Sequence, residues 1–410
     1  MAAKATTTTS ANLLSKAHFA KLAKFYRKHL LEEILPFWES RTLDTQYGGY
    51  LTGFDMAGKL LDPTKPMWSA GRQLWMFSAL YNRVEKRDSW LALAKAGRDF
   101  LIKHAYAGDG RWLFKLDRAG KKLEGTISIA TDLFILSGLV EYARAAGSDA
   151  DMKLINETWD AGIRNSHDPN FKDVWHGTWD PNFKGRPMLA VHIGGLCEPL
   201  LGVERTRPWM DEAIKDILYT FSLDEHHANF EQLSAEGKVI DHPRVRTLNP
   251  GHTLECLWFC LDECRRLGRT KDIERAIEVA DWTWQRGLDR DMGGIFSYLD
   301  LYGGEPAQMA YHKIINQRWD DKCWWVHSET LVTLAMAATL TKDPKWMERF
   351  MLHHEYCQKA FYAPQYGQWY LSLRRDGRPT SLNHAEAWNE AYHLPRALLY
   401  VMETFENAAK

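Results

Sequence analysis

No stretch of this 410-residue chain is long and apolar enough to cross a bilayer, and its start, MAAKATTTTSA, has no apolar run of signal-peptide length. Neither sign of charge dominates: 52 basic residues face 53 acidic ones, a formal net charge of -1, and no long run of one sign occurs. That balance argues against nucleic acid or an anionic membrane as the main partner. None of the six cysteines falls in a CxxC pair, and Cys256, Cys260 and Cys264 recur every four residues, as a stripe of small buried residues would. Thiols without a disulfide framework or an export signal point to the cytoplasm. The sequence also lacks a GxSxG elbow, a phosphate-binding loop and an HxxxH pair, so serine-hydrolase, nucleotide-dependent and metal-centred chemistry have no motif to stand on.

Large apolar residues are plentiful. The chain is 45% hydrophobic, with 18 Trp, 16 Tyr and 17 Phe. It can fill a sizeable core, and indole faces at this density suit the apolar faces of sugars. An internal repeat sets the architecture. GGYLTGFDMAG (48–58), GRWLFKLDRAG (110–120), GGIFSYLDLYG (293–303) and GQWYLSLRRDG (367–377) share a Gly, six alternating residues, a polar residue at +7 and Gly at +10. HANFEQLSAEG (227–237) fits with Ser234 at +7, and DVWHGTWDPNF (173–183) is a degenerate sixth copy. Alternation closed by a D-x-x-G turn predicts a short β-hairpin.

Between the hairpins, periodicity predicts about twelve helices, near 14–38, 67–85, 87–103, 126–146, 150–164, 189–203, 207–221, 250–267, 270–286, 321–340, 343–360 and 383–407. The second helix of each pair is apolar nearly all round and should be buried; the first has a polar face. Six such pairs, with hairpins always on one side, predict an all-α fold, an (α/α)6 toroid occupying 12–410 as one domain after a disordered tail at 1–11. A two-domain helical protein is the competing arrangement. In the toroid, the first turns of the inner helices converge in one cup.

Those first turns carry residues that packing does not demand. They are Arg72, His192, His252 with Glu255 at i+3, the pair Trp324–Trp325 followed by His327 and Glu329, and His393 with Arg396 one turn on. Asp132, Glu255 and Glu329 could supply a glycosidase with two carboxylates. Two histidines at helix mouths suit proton transfer near neutral pH better. Glycines 194 and 195, after His192, are expected to leave room for a substrate substituent.

The stretches GRQLWMFSALY, DLFILSGLVEYARAAG, NPGHTLECLWF, GGIFSYLD, WWVHSET and YHLPRAL, in this order, resemble the N-acylglucosamine 2-epimerase superfamily. That superfamily also holds cellobiose 2-epimerases and mannose or sulfoquinovose isomerases. GRQLWM, LNPGHTLE and WWVHSE are most similar to the N-acylglucosamine epimerases. The resemblance implies the (α/α)6 barrel, His252 and His393 as an acid/base pair, Arg72 and Glu255 as substrate holders, and a lining contributed by the Trp324 region. It implies a sugar substrate, no required cofactor or metal, ATP as an allosteric activator, and a homodimer. An aldose–ketose isomerase and a cellobiose 2-epimerase remain the alternatives on the same scaffold. The sequence departs from its relatives at LAVHIGGLCE and at WNEAYH, where Glu390 and Ala391 stand before His393.

Overall fold

The computed structural model describes residues 13–168, 171–172, 180–307, 318–380, 383–384 and 390–410. The tail at 1–11 and most of the degenerate repeat at 173–183 lie outside the described residues. Twelve long helices are present among them: α1 (Lys16–Lys28), α2 (Met67–Arg83), α3 (Asp88–Phe100), α4 (Ile129–Ala146), α5 (Met152–His167) and α6 (Ala190–Leu201). The second half holds α7 (Val203–Lys215), α8 (Pro250–Arg266), α9 (Thr270–Gly287), α10 (Trp324–Thr341), α11 (Pro344–Ala360) and α12 (His393–Ala409).

Odd and even helices differ as their side chains require. In α9 only Ala276, Val279, Ala280, Thr283, Trp284 and Gly287 are buried, a stripe at helical spacing that faces inward. In α10 every residue from Trp324 to Ala338 is buried, so this helix has neighbours all round. The even helices stand side by side: α2 packs on α4, α4 on α6, α6 on α8, α8 on α10, and α10 on α12. The ring closes where α12 meets α1, with Phe19 stacked on Phe405 at 5.7 Å, and where Arg83 of α2 pairs with Glu403 of α12. This is the expected (α/α)6 toroid.

The repeat forms β structure in a different way from the single hairpin expected. Its first Gly closes one turn and its +7 residue opens a second. In the first copy Leu43 bridges Tyr50, and Gly53–Asp55 then pairs with Leu60–Asp62. The +7 side chain caps the second turn: Asp55 Oδ1 accepts from Lys59 N and Asp117 Oδ1 from Lys121 N, both at 2.8 Å. The +10 Gly takes a left-handed φ, +87° at Gly58 and +97° at Gly120, which explains its recurrence.

A short strand before an inner helix then pairs with the next repeat. Lys65–Pro66 pairs with Lys115–Leu116, Phe183–Gly185 with Gln232–Ser234, Thr247–Leu248 with Leu299–Asp300, and Lys322–Cys323 with Ser372–Leu373. Asn383–His384 pairs with Gly53–Asp55 and so joins the last repeat to the first; the seam between the second and third repeats falls outside the described residues. The last helix consequently starts at His393, ten residues later than expected, because the chain is needed first as a strand.

Two of these seams carry the same buried ion cluster. Lys65 lies 3.0 Å from Asp44, which also bonds Arg118 at 2.9 Å; Lys322 lies 2.9 Å from Asp289, which bonds Arg375 at 2.7 Å. Each ammonium sits over a phenyl ring, Phe100 or Phe296. Burial opposes charge on Asp44 and Asp289, but the paired cations win and hold both carboxyls well below the usual range. Burial pushes the Lys322 ammonium down to about 8.

Candidate active site

The stretch NPGHTLE forms the first turn of α8. Asn249 is its N-cap, its side chain accepting from His252 N at 3.0 Å, and Pro250 opens the helix. At Gly251 a Cβ would lie 2.6 Å from Val326 and 2.8 Å from Trp325, so only glycine lets α8 approach α10 this closely. The approach places the His252 ring 4.9 Å from that of Trp325. His252 Nδ1 bonds Glu231, which comes from the hairpin strand beneath and faces Arg186 at 3.6 Å. Asn249 Nδ2 also lies 3.0 Å from Nδ1, but the charged carboxylate is the stronger partner and only accepts, so Nδ1 carries the proton and Nε2 keeps its lone pair. The His252 side chain is 32% exposed.

The second imidazole starts α12. His393 Nδ1 donates to Glu329 Oε1 at 2.7 Å, while Glu329 Oε2 accepts from Trp258 Nε1 at 2.7 Å. His393 is buried 5.7 Å from Trp325 and 6.4 Å from Trp324, ring to ring. Burial, then the nearby Arg72 charge, pushes it well below the ordinary imidazole value, so it is neutral with Nε2 unprotonated. Both imidazoles therefore flank Trp325, each with Nδ1 held by a carboxylate.

Arg396 organises the floor. Its Nη2 bonds both Glu255 and, at 2.8 Å, Glu329; its Nη1 donates to the Tyr392 hydroxyl at 2.9 Å. Acceptor atoms of Glu255, Glu329 and His393 lie within 4.8 Å of one another, a spacing a cation would suit. The guanidinium bonded to both carboxylates is that cation.

Arg72, in α2, lies over Phe134, Tyr392 and Trp68 at 4.1, 4.7 and 4.8 Å and bonds Glu390 Oε1 through Nη1 at 3.0 Å. Its position depends on a close crossing of α2 and α4. A Cβ on Gly71 would meet the backbone of Phe134 and Ile135 at 2.7 and 2.6 Å, and one on Gly138 would meet Gly71 O at 2.6 Å.

The structure thus gathers Arg72, His252, Glu255, Trp324, Trp325, Glu329, His393 and Arg396 from the expected set. His327 is not among them. Its Nδ1 bonds Cys323 O at 2.7 Å, its Nε2 accepts from Ile295 N at 3.0 Å, and it stacks on His353. It braces α10 against its outer neighbour. His192 points into the ring core, stacked 4.5 Å from Phe259 and edge-on to Trp75 and Trp258; burial pushes it well below the ordinary value. Glu255 does not orient His252; it serves Arg396. The space expected at glycines 194 and 195 is also filled: a Cβ on Gly194 would be 3.2 Å from Met210, and one on Gly195 2.1 Å from Glu263. Asp132 accepts from Trp112 N and Arg111 and holds its hairpin.

Sequence reasoning missed Glu231, Arg186, Tyr392 and Trp258, and it marked Glu390 as a departure from the relatives without giving it a partner. Glu231 had a signal. It stands at +4 of its repeat, where the other aligned copies carry Thr52, Phe114, Ser297 and Leu371, so it is the one charged residue at that position.

Residues 48–397 match the family described as N-acylglucosamine 2-epimerase (GlcNAc 2-epimerase). The N-acylglucosamine 2-epimerase of Homo sapiens is 29% identical over 90% of this chain and 86% of its own length; that of Bos taurus is 27% identical over 92% and 90%. The cellobiose 2-epimerase of Dictyoglomus turgidum is 23% identical over 92% and 97%. Among solved structures, the cellobiose 2-epimerase of Bacillus thermoamylovorans superposes with a TM-score of 0.78 at 19% identity, covering 94% of this chain and 99% of that one. A D-mannose isomerase gives 0.77 at 20%, covering 93% and 98%.

Proposed function

This chain belongs to the N-acylglucosamine 2-epimerase family, and from that premise we propose that it inverts C2 of an N-acylated hexosamine, interconverting N-acetyl-D-glucosamine and N-acetyl-D-mannosamine. The observation that carries the reading is the pair of imidazoles on Trp325, each with Nδ1 on a carboxylate and Nε2 left for substrate. The ring-opened sugar presents an aldehyde at C1. Neutral His393 takes the C2 proton through Nε2, and the electron pair moves onto the C1 oxygen as an enolate. Arg72, packed among aromatic rings, supplies the positive donor for that oxygen. His252, after taking a second proton from solvent onto Nε2 with Glu231 balancing the charge, delivers it to the opposite face of C2 and the C1 carbonyl re-forms. Between turnovers His393 releases the proton it took and His252 regains one from solvent. Proton removal and return need no electron acceptor, so the reading requires no redox cofactor. The N-acyl specificity follows the relatives that are 27–29% identical.

Turnover in D2O tests this. Deuterium should enter C2 of the product with no ketose accumulating, and His252→Ala or His393→Ala should each lose about 10²–10⁴ in kcat. Fructose formed from mannose as the dominant reaction would replace the epimerase by an isomerase. ATP activation and a homodimer belong to this proposal on resemblance alone; assays with and without ATP, and sedimentation, check them. Among the described residues no helix is long and apolar enough to cross a membrane, and the six unpaired, buried cysteines support a reducing compartment such as the cytoplasm.

A further inference from the structure

Every arginine that the described residues bring to the cup already faces a carboxylate. Arg186 has Glu231, Arg396 has Glu255 and Glu329, and Arg72 has Glu390. Three guanidinium groups thus meet four carboxylates, one negative charge in excess. Two of these pairings hold the imidazole carboxylates in place. The pairing of Arg72 with Glu390 does neither job, and it is buried, at 6% and 4% exposure.

An arginine packed against three aromatic rings at a helix mouth would otherwise be an anion site. Its planar fork matches phosphate, sulfate and carboxylate, and removal from water strengthens the attraction. Here Glu390 Oε1 takes that place at 3.0 Å, and its other oxygen accepts from Ser69 Oγ at 3.3 Å. Arg72 Nε is left buried without a hydrogen-bond partner, one donor free for the C1 oxygen of the substrate.

We propose that Glu390 is a specificity residue: by occupying Arg72 it makes the cup select uncharged sugars against sugars bearing a phosphate, sulfate or carboxylate. The proposal rests on reading Arg72 as a substrate-facing group. It also has a pH dependence. Burial pushes the Glu390 carboxyl up to about 7, with Arg72 opposing. Below that pH Glu390 loses its charge, Arg72 is unmasked, and discrimination against anions weakens. The other charged or titratable groups around the pair are Glu255 and His252 on α8, Glu329 on α10, Tyr392 at the cap of α12, and His393 and Arg396 on it. His393 stays neutral throughout this window because its own value lies well below 6.5.

Calorimetric titration with N-acetylglucosamine and N-acetylglucosamine 6-sulfate tests the idea, with glucose and glucose 6-sulfate as a second pair that lacks the acetamido group. A sulfate ester keeps one negative charge from pH 6 to 8, so any change in that range belongs to the protein. Wild type should prefer the uncharged sugar at pH 8. In Glu390→Gln the preference should shrink about tenfold or more, as removal of one nearby charge in a partly desolvated site implies. In a His252→Gln background, where the exposed cup imidazole is absent, the preference should fall in part between pH 8 and pH 6, and adding Glu390→Gln should flatten the profile. The His252→Gln pH series decides the matter even if Glu390→Gln folds poorly. Equal affinity of wild type for both members of each pair, or a preference unaltered by pH and by Glu390→Gln, would overturn the proposal. Failure of the epimerase reading shows separately, as absence of C2 exchange in D2O.

Discussion

Histidines 252, 327 and 393 all stand in the first turn of an inner helix, yet their roles diverge with what meets their nitrogens. His327 has both nitrogens on backbone groups and its ring in a stack, so it can neither give nor take a substrate proton. His327→Ala should cost about 2–4 kcal/mol of stability, from the lost packing and two unpaired backbone groups. A chemical-denaturation series would show this, while kcat per folded molecule stays near wild type; a large fall in kcat at full folding would return His327 to the site. Glu231→Gln should act oppositely. The amide keeps the shape but no longer dictates which His252 nitrogen carries the proton, so kcat should drop about tenfold or more with a small change in melting temperature. An unchanged kcat would mean that His252 is oriented by Asn249 alone.

The helices were legible because their burial is written as period. The all-round apolar sequence of α10 and the striped sequence of α9 correctly separate inner from outer. The capped start of α8 was readable to the residue. Side-chain direction would have excluded His327, which was grouped with the site: Trp325 and Glu329 are one turn apart and share a face, whereas His327, two residues from each, must point elsewhere. What sequence could not supply was long-range pairing. Glu390 reads as a helix residue whose partner is unknown until α12 meets α2, and Glu231 reads as strand polarity until its hairpin meets α8. The glycines of α6 looked like vacant space because sequence shows a missing side chain but not the Glu263 carboxylate and Met210 that fill the gap. Glycine matters more at the crossing of α2 and α4. Gly71→Ala would drive a methyl into the backbone of α4, where neither partner can yield by a rotamer change. It should lower stability by about 1–3 kcal/mol and also reduce turnover, since Arg72 moves with its helix. Melting curves read beside kcat/KM would reveal both effects; loss of stability alone would separate Arg72 from the crossing.

At the scale of the whole molecule, buried imidazoles set the acid side of the stability curve. Burial lowers His192, His327 and His393 well below 6.5, and His353 to about 4. The unfolded chain takes up these protons near pH 6.5 and the folded one does not, so stability is lost as pH falls from about 6.5 toward the folded values. Glu390 and Glu263, raised to about 7 and about 6, work the other way between pH 7 and 4.5, because the folded state protonates first. His354 is likewise lowered to about 4 and the Asp321 carboxyl is likewise raised by burial, so five imidazoles against three carboxyls give a net loss. His353 alone accounts for about 2 kcal/mol at pH 5. Urea midpoints should therefore fall steadily between pH 7 and 5; a flat profile would show that these rings are charged when buried.

Strand pairs join the first repeat to the second, the third through to the sixth, and the last to the first, and the ammonium of Lys16 donates to the backbone carbonyl of Lys410. A necklace has no first bead. Cutting the backbone in the exposed link at 147–150 and bridging Lys410 to the start of α1 with a few glycines would yield a circular permutant in which Arg72 follows His252 and His393 along the chain. Such a rearranged protein should melt cooperatively and exchange the same carbon-bound hydrogen as the parent, because the cup depends on neighbours in space and is indifferent to the order in which the ribosome makes them.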